Sequence, residues 1–296
     1  ERKLQGLQAK LQSFILDQTD EAWEMAAQKT DELVSGFVEG LPLSATVRQG
    51  LFSRNLDALQ TFQKRRVGNM NLSRRVWNIC EQTKTNIEYY LQSGLAEGRS
   101  AAKMSQDVRQ LLNDPDKRFR RIRDPESGKL KLSKPMKGYH PGQGVYRSAY
   151  QNALRMTRTE TNMAYRLSDH HRWKKIEFVK GFEVQLSPSH PTPDICDEMV
   201  GEYPKTFVFG GWHANCYCRA VPILATRNQF IGYLETGKAP IPVKSIPGKA
   251  QAYVKKKTKQ FRGWKNSPYW LDENFTLKEG KYVPRKSLRT IRTGQG

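Results

Sequence analysis

The sequence lacks any run of about 20 apolar residues, which is the length that a helix needs to span a bilayer. It also lacks a basic-then-apolar leader, a glycine-rich phosphate loop and a pair of closely spaced metal-binding carboxylates. We therefore expect a protein that is neither embedded in a membrane nor secreted. The last two absences weigh against an enzyme that acts on nucleotides.

Acidic residues are scarce relative to basic ones, with 29 Asp and Glu against 50 Lys and Arg and a formal net charge of +21 over 296 residues. Two blocks hold most of the excess: residues 226–296 contain sixteen bases and four acids, and residues 114–137 contain nine bases and four acids. A charge of this size attracts polyanions, so nucleic acid is the first partner to consider and an anionic membrane surface the second. We predict nucleic acid and no membrane. The residues predicted to contact phosphates are Arg118, Arg120, Arg121 and Arg123 in one block and Lys255, Lys256, Lys257 and Lys259 in the other.

Cysteine is also scarce, and three of the four cysteines, Cys196, Cys216 and Cys218, lie near His213 in the sequence. Thiolate and imidazole are the ligands of tetrahedral zinc, and these residues would complete a closed Cys3His site with zinc as a structural cofactor. Two alternatives stay open: a disulfide between Cys196 and Cys216 or Cys218, and three unrelated thiols. A closed site has no free coordination position, so we predict that a bound metal stabilises the fold and catalyses no hydrolysis.

A long helix is predicted over residues 149–175, because apolar side chains recur there at helical spacing. Glu160 falls on this apolar stripe. A buried carboxylate loses much of its solvation unless it is paired, so we expect an ion pair with Arg155, Arg158 or a base of another chain. We favour a structural pair over a catalytic role for Glu160, and no catalytic residue is assigned.

The remaining pattern predicts an α+β fold that is mainly helical, with long helices, a small antiparallel sheet, a loop region held by the Cys and His residues, and an extended basic tail. Three segments are expected: a helical N-terminal arm over residues 1–68, a central domain over residues 69–225 and the tail over residues 226–296. Basic and apolar residues alternate around a turn in residues 114–137, which predicts a two-stranded ribbon. Short strands are predicted between residues 178 and 186, at 207–209 and at 219–223.

Two motifs in the central domain resemble those of a known family. The first is Arg158-Thr-Glu-Thr-Asn162 followed by Ala164-Tyr165-Arg166, and the second is His213-x-x-Cys216-x-Cys218-Arg219. With the sequence around them, residues 70–224 resemble the phage head-morphogenesis family of Mu protein F-like minor head proteins. One departure is Ala214, because the family usually has proline directly after the histidine.

The resemblance implies a virion protein, present in multiple but few copies, that lies in the head interior and in the host cytoplasm during assembly. Its implied partners are the portal protein, with the major capsid protein as a second candidate, and packaged DNA. The family supplies no settled catalytic activity. The leading hypothesis is therefore a minor head protein with non-specific phosphate contacts and no enzymatic function. The rivals are a metal-dependent enzyme acting on nucleotides or nucleic acid, with Glu160 as general base, and a basic host protein that binds RNA or DNA.

Overall fold

The computed structural model describes residues 1–113, 121–132, 148–190 and 193–285. The elements of these residues are, in chain order, α1 (Arg2–Val38), α2 (Ala45–Leu51), α3 (Leu56–Lys64), α4 (Leu72–Ala96), α5 (Ala101–Asn113), β1 (Arg121–Arg123), β2 (Leu130–Leu132), α6 (Ala149–Trp173), β3 (Val179–Gln185), α7 (Ile195–Glu198), β4 (Gly201–Pro204), β5 (Arg219–Leu224), α8 (Arg227–Thr236), α9 (Gly248–Arg262), α10 (Tyr269–Asn274), β6 (Phe275–Lys278) and β7 (Lys281–Pro284). The predicted α+β fold, mainly helical with a small antiparallel sheet, is confirmed. No helix within the described ranges is both long enough and apolar enough to cross a membrane.

The chain divides into two compact units, each built from separate segments. Unit 1 contains Glu1–Phe14 and Met70–Thr157, and unit 2 contains Ile15–Asn69 and Arg158–Gly296. The chain passes from unit 2 to unit 1 between Asn69 and Met70, close to the boundary predicted at residues 68 and 69. The boundary predicted at residue 225 does not separate compact units. Apolar periodicity places helices along the chain but says nothing about which distant helices pack together, so it does not reveal units built from separate segments.

Unit 1 contains the helices α4 and α5. The side chain of Asn71 caps α4, because its Oδ1 accepts a hydrogen bond of 2.9 Å from the backbone N–H of Arg74. Gly94 allows a close approach between the two helices, since a Cβ added there would lie 2.7 Å from the sulfur of Met104. The buried face of α4 includes Leu72, Val76, Ile79, Cys80 and Tyr90.

The predicted ribbon is present in the described part of its range. β1 and β2 pair antiparallel, with Ile122 opposite Lys131. Asp124 fixes the connecting turn by accepting hydrogen bonds from the backbone N–H groups of Glu126 (3.0 Å) and Ser127 (2.9 Å), and it also pairs with Lys131. Residues 114–120 and 133–137 of the predicted ribbon lie outside the described residues.

In unit 2, helix α6 is anchored to α1 by both apolar and charged contacts. Asp169 forms an ion pair of 2.6 Å with Lys29, and Arg172 forms one of 2.7 Å with Asp31. Such pairs keep buried charges from being left without a partner. The apolar cluster between α1, α3 and α6 contains Ala22, Trp23, Leu59, Phe62, Met163, Ala164 and Leu167. The 158–173 part of α6 is therefore a fixed support for the residues that pack on it.

The sheet of unit 2 has the strand order β4-β3-β5 and is antiparallel throughout. The strands predicted at 178–186 and 219–223 are confirmed, but the third strand is β4 and not residues 207–209. Phe207 and Phe209 are buried, and the Val208 backbone between them pairs with the side chain of Asn274. The Val208 N–H donates to Oδ1 at 2.6 Å, and its carbonyl accepts from Nδ2 at 2.8 Å. The side-chain amide of Asn274 thus satisfies the backbone groups of Val208, although the alternation of apolar residues predicted a strand there.

Residues 226–285 are not the extended tail that the sequence predicted. They form α8, α9, α10 and the β6–β7 hairpin, and they pack into the main core of unit 2. The buried side chains that they add are Phe230, Ile246, Ala250, Val254, Phe261, Trp270, Leu271 and Phe275. The prolines that suggested an extended chain, Pro240, Pro242 and Pro247, lie in the link between α8 and α9. Residues 286–296 lie outside the described residues.

Candidate metal centre

The loop from Gly211 to Cys218 carries three of the predicted ligands. Its backbone turns at Gly211, with φ of +113°, and at Asn215, with φ of +58°. The N–H of Cys216 closes the turn by donating to the carbonyl of His213 at 3.2 Å. Glycine and asparagine tolerate positive φ better than other residues do, which is why this short segment can reverse direction. The loop places the sulfurs of Cys216 and Cys218, and Nε2 of His213, near the sulfur of Cys196.

Cys196 comes from the first turn of α7. Asp194 caps this helix by accepting a hydrogen bond of 2.6 Å from the N–H of Cys196, and the carboxylate of Asp197 accepts one of 2.8 Å from the N–H of Asp194. This reciprocal pair is a capping box. It fixes the backbone of Cys196 beside the Gly211–Cys218 loop.

The three sulfur atoms lie within 4.8 Å of one another, and all three cysteines are buried and free. The Cys196 sulfur is 3.8 Å from the Cys216 sulfur and 3.1 Å from Nε2 of His213. Two sulfurs bonded at about 2.3 Å to one tetrahedral zinc would also lie about 3.8 Å apart. The cluster is therefore able to hold a metal ion, and the disulfide alternative is not present.

His213 directs its Nε2 atom at the cluster. Its Nδ1 lies 2.7 Å from the carbonyl oxygen of Ala214, a contact in which Nδ1 carries the proton and donates. Nε2 then offers a lone pair at 3.1 Å from both the Cys196 sulfur and Oδ2 of Asp194. Lone pairs on three atoms at these distances repel one another unless a proton or a metal ion lies between them. A thiol proton on Cys196 would serve for this contact, and the two further sulfurs make the cluster suited to a metal ion.

His190 is a neighbour of the cluster that was not predicted as a ligand. His190, Asp194 and Cys196 each offer an atom within 4.8 Å of the other two. Nε2 of His190 lies 3.0 Å from Oδ2 of Asp197 and 3.7 Å from Oδ1 of Asp194. Because both carboxylates already serve the capping box, we interpret His190 as a residue that orients them around Cys196.

Hydrogen bonding within the cluster divides negative charge unevenly among the sulfurs. The hydrogen bonds to Cys196 and Cys218, together with the charge of Arg166, lower the pKa of Cys216. The hydrogen bonds to Cys216 and Cys218, together with burial, raise the pKa of Cys196. A thiolate at Cys216 is therefore favoured, and the thiolate is the form of cysteine that binds metals.

Arg166, a residue of helix α6, holds the Gly211–Cys218 loop through hydrogen bonds. It is buried, and its guanidinium donates to the carbonyl oxygens of Gly210 (3.1 Å), Cys216 (2.6 Å) and Cys218 (2.7 Å). Gly211 leaves room for this contact, since a Cβ added there would lie 2.8 Å from Nη1 of Arg166. One cation thus satisfies three carbonyl groups around the sulfurs and places a positive charge beside them.

Two more residues of α6 contact the same loop. Nδ2 of Asn162 donates to the Cys216 carbonyl at 3.4 Å, and Oγ1 of Thr159 accepts from the N–H of Asn215 at 3.2 Å. Residues 159, 162 and 166 share one helix face at helical spacing. They belong to the motif that carries the family resemblance, although no role was predicted for them. Their spacing on one face of a predicted helix was the signal that could have identified them.

Glu160 is buried, as predicted, and the structure pairs it with Arg65. Oε2 of Glu160 lies 2.8 Å from Nη2 of Arg65, whose guanidinium also stacks on the ring of Phe62 at 3.8 Å. Arg65 was not among the predicted partners, and one of those, Arg158, is exposed. Arg158 is two residues from Glu160, whereas neighbours on one helix face are three or four residues apart.

The residues predicted to contact phosphates lie on folded elements where they are described. Arg118 and Arg120 lie outside the described residues. Arg121 and Arg123 belong to β1, and exposed Arg123 donates to the carbonyl of Gly128 at 2.8 Å. On α9, Lys255, Lys256 and Lys259 are exposed, whereas Lys257 is half-buried on the side that contains Val254 and Phe261.

Comparison with known proteins identifies no relative, because no family model, no curated protein and no solved structure matches the chain. The resemblance to phage head-morphogenesis proteins therefore stays a prediction.

Proposed function

We propose that this chain is a structural minor head protein of a tailed phage, in which a zinc ion bound by Cys196, His213, Cys216 and Cys218 stabilises unit 2. Its partners would be the portal protein, with the major capsid protein as a second candidate, and packaged DNA. The observation that carries the structural role is the convergence of three buried sulfurs and one imidazole. The placement in the virion is supported by the sequence resemblance.

The ligand set favours a structural zinc over a catalytic one. Three thiolates and one imidazole fill the four positions of a tetrahedral zinc, so no position is left for water or substrate. Such a site would carry a net charge of about −1, since three thiolates are opposed by a divalent ion. The guanidinium of Arg166 lies beside the sulfurs and balances that charge. Glu160, the general base of the rival hypothesis, is engaged by Arg65.

The contact with DNA is supported by exposed bases on folded elements. Lys255, Lys259 and Arg262 are exposed on α9 at positions that share one helix face. With a rise of about 1.5 Å per residue, this row extends over about 10 Å and can follow a phosphate backbone. Contacts of this kind depend steeply on salt and carry no sequence information.

Metal analysis of the purified protein tests the structural half of the proposal. We expect one zinc per chain, a lower unfolding temperature after chelation, and loss of zinc in Cys216→Ser. Cys80→Ser is the matched control, because Cys80 is a buried thiol on α4 outside the cluster. A chain that contains no zinc when purified from zinc-replete cells would contradict the proposal.

Two further measurements test the partners. Affinity for duplex DNA should fall steeply with salt and be equal for unrelated sequences. Affinity at low salt that is no higher than that of a neutral control protein would remove DNA from the proposal. Co-purification with the portal protein from infected cells tests the virion half, and its absence from purified heads would contradict that assignment.

A further inference from the structure

Trp264 is an aromatic side chain held at the surface of unit 2 by buried rings. It is 44% exposed, whereas Trp23, Trp173, Trp212 and Trp270 are buried. Its ring meets the edge of Phe261, with centroids 5.2 Å apart and an angle of 66°. Phe261 is buried and packs against Trp270 at 5.8 Å. The N–H of Trp264 donates to the carbonyl of Phe261 at 3.3 Å, so backbone and ring are both fixed.

Basic residues lie on the chain segments next to this ring. Lys259 and Arg262 lie in the last turn of α9, and Lys265 follows Trp264 directly. The β6–β7 hairpin adds Lys278 and Lys281, and its Tyr282 packs against Phe261 at 6.3 Å. Arg262 reaches toward the hairpin turn, because a Cβ added at Gly280 would lie 3.7 Å from its Nη1. We call the set Lys259, Arg262, Trp264, Lys265, Lys278 and Lys281 the Trp264 face.

The bases of the Trp264 face are available to a partner. All five are exposed, and none forms an ion pair within the part of the chain that the structure describes. Glu279, at the hairpin turn, is the acid among them. The face therefore combines a strong local excess of positive charge with one rigid and accessible indole ring. This combination is the one with which proteins bind single-stranded nucleic acids, in which bases stack on aromatic rings and phosphates meet Lys and Arg.

We propose that the Trp264 face binds a single nucleic-acid strand. One unpaired nucleobase would stack on the indole ring, and neighbouring phosphates would contact the five Lys and Arg side chains. The inference rests on the proposed contact with nucleic acid and specifies the form of the strand. In a duplex the bases are stacked inside the helix and only the phosphates reach a surface of this kind. An acidic peptide would match the charge but has no planar group that requires the ring.

Tryptophan fluorescence tests this directly, because Trp264 is 44% exposed, whereas Trp77 is half-buried and the other four tryptophans are buried. The full-length protein is titrated with oligothymidylate, oligouridylate, a duplex of equal length and polyglutamate. The strands are made longer than the roughly 4–16 nucleotides that such surfaces cover. We expect quenching by the single strands and no comparable quenching by duplex or polyglutamate. Quenching by both single strands assigns the site to any unpaired strand. Quenching by oligothymidylate alone assigns it to DNA, and quenching by oligouridylate alone assigns it to RNA.

Variants separate the ring from the charges. Trp264→Ala should weaken binding of the single strand roughly 5- to 150-fold, which is the effect of one stacked base, and leave duplex binding unchanged. Trp264→Phe should retain part of the affinity while removing the quenching. Tyr150→Ala is the control, since Tyr150 is an exposed aromatic residue on α6 outside this face. Circular dichroism and the unfolding temperature report that each variant is folded.

The inference is overturned if single strands cause no quenching, if Trp264→Ala weakens single strand and duplex equally or neither, or if polyglutamate binds and quenches as well as the oligonucleotides. The proposed function fails differently, through the absence of zinc or of any salt-dependent binding to DNA. A chain that binds zinc and duplex DNA but shows no preference of Trp264 for single strands therefore refutes this inference alone.

Discussion

Replacing Arg166 tests how far α6 supports the metal centre. Arg166→Met removes three charge-assisted hydrogen bonds, to the carbonyls of Gly210, Cys216 and Cys218. The Cys216 carbonyl keeps the hydrogen bond from Asn162, so two buried carbonyls lose the donor that the structure shows. At about 1–3 kcal/mol for each buried group left without a partner, the loss in the free energy of unfolding is about 2–6 kcal/mol.

Metal affinity should fall as well, because Arg166 orients the backbone that carries two of the sulfurs. Loss of an outer contact of this kind typically lowers metal affinity about 10–100-fold. Arg166→Lys keeps the charge, but a single ammonium group does not reproduce the planar guanidinium that contacts three carbonyls, so it should restore only part of the loss. Competition with a chromophoric zinc chelator measures the affinity, and chemical denaturation of the zinc-bound protein measures the stability.

Arg158→Met is the matched control, because Arg158 lies on the same helix and is exposed. It should change zinc affinity and stability by less than the experimental error. The reasoning would be refuted if Arg166→Met bound zinc as tightly as the unaltered protein and unfolded at the same denaturant concentration.

Three other perturbations follow from the structure. Glu160→Gln should lower the free energy of unfolding by about 1.5–3 kcal/mol, because half-buried Arg65 loses a charged hydrogen-bond partner, whereas an unchanged denaturation curve would exclude a structural pair. Burial first, and then the charges of His171 and Lys174, lower the pKa of His170 to about 3, so its stabilising contribution is present above its unfolded pKa of about 6.5 and is lost as the pH falls toward 3. His170→Asn should therefore flatten the acid side of the stability profile by up to about 1.4 kcal/mol per pH unit, and parallel profiles of the two proteins would contradict this. Lys255→Ala combined with Lys259→Ala should reduce the slope of log affinity for duplex DNA against log salt by about 2. Lys10→Ala, which replaces an exposed lysine of α1, should change that slope by less than the pair does.

The elements that the sequence predicted well are those with a local signal. Helices α1 and α6 repeat apolar residues at helical spacing over many turns. The buried face of α6 contains Met163, Ala164 and Leu167, whereas α1 buries Ala22 and Ala26 and leaves Leu7 and Phe14 exposed. In the strands β3 and β5, more buried and less buried residues alternate along part of the strand. The strand predicted at Phe207–Phe209 failed, because two buried aromatic residues imitate alternation while Asn274 satisfies the backbone between them.

The C-terminal quarter shows why composition misleads. Its excess of bases and its prolines indicate an extended tail when they are considered alone. Its buried aromatic residues, such as Phe230, Phe261 and Trp270, pack against strands and helices that lie far away in the sequence. No local pattern encodes that contact, and the gain from burying large apolar side chains outweighs the local preference. The bases then remain on the outer faces of folded elements.

The candidate ligands were predictable because cysteine and histidine are few and chemically specialised. Their support was not, since Arg166 is one of many arginines and acts through carbonyl groups of a loop about 50 residues away. Arg65 was equally hidden, because its pairing with Glu160 depends on the packing of α3 beside α6. The local signal for Arg166 was its position on one helix face with Thr159 and Asn162, and Arg65 had no comparable signal.

X-ray absorption at the zinc edge of the purified protein tests the central claim most directly. The account predicts one zinc with three sulfur neighbours at about 2.3 Å and one nitrogen neighbour at about 2.0–2.1 Å. Substitution of His213 by Ala should remove the nitrogen and leave the sulfurs. A shell of oxygen and nitrogen alone, or protein without zinc whose cysteines are joined by a disulfide, would contradict it.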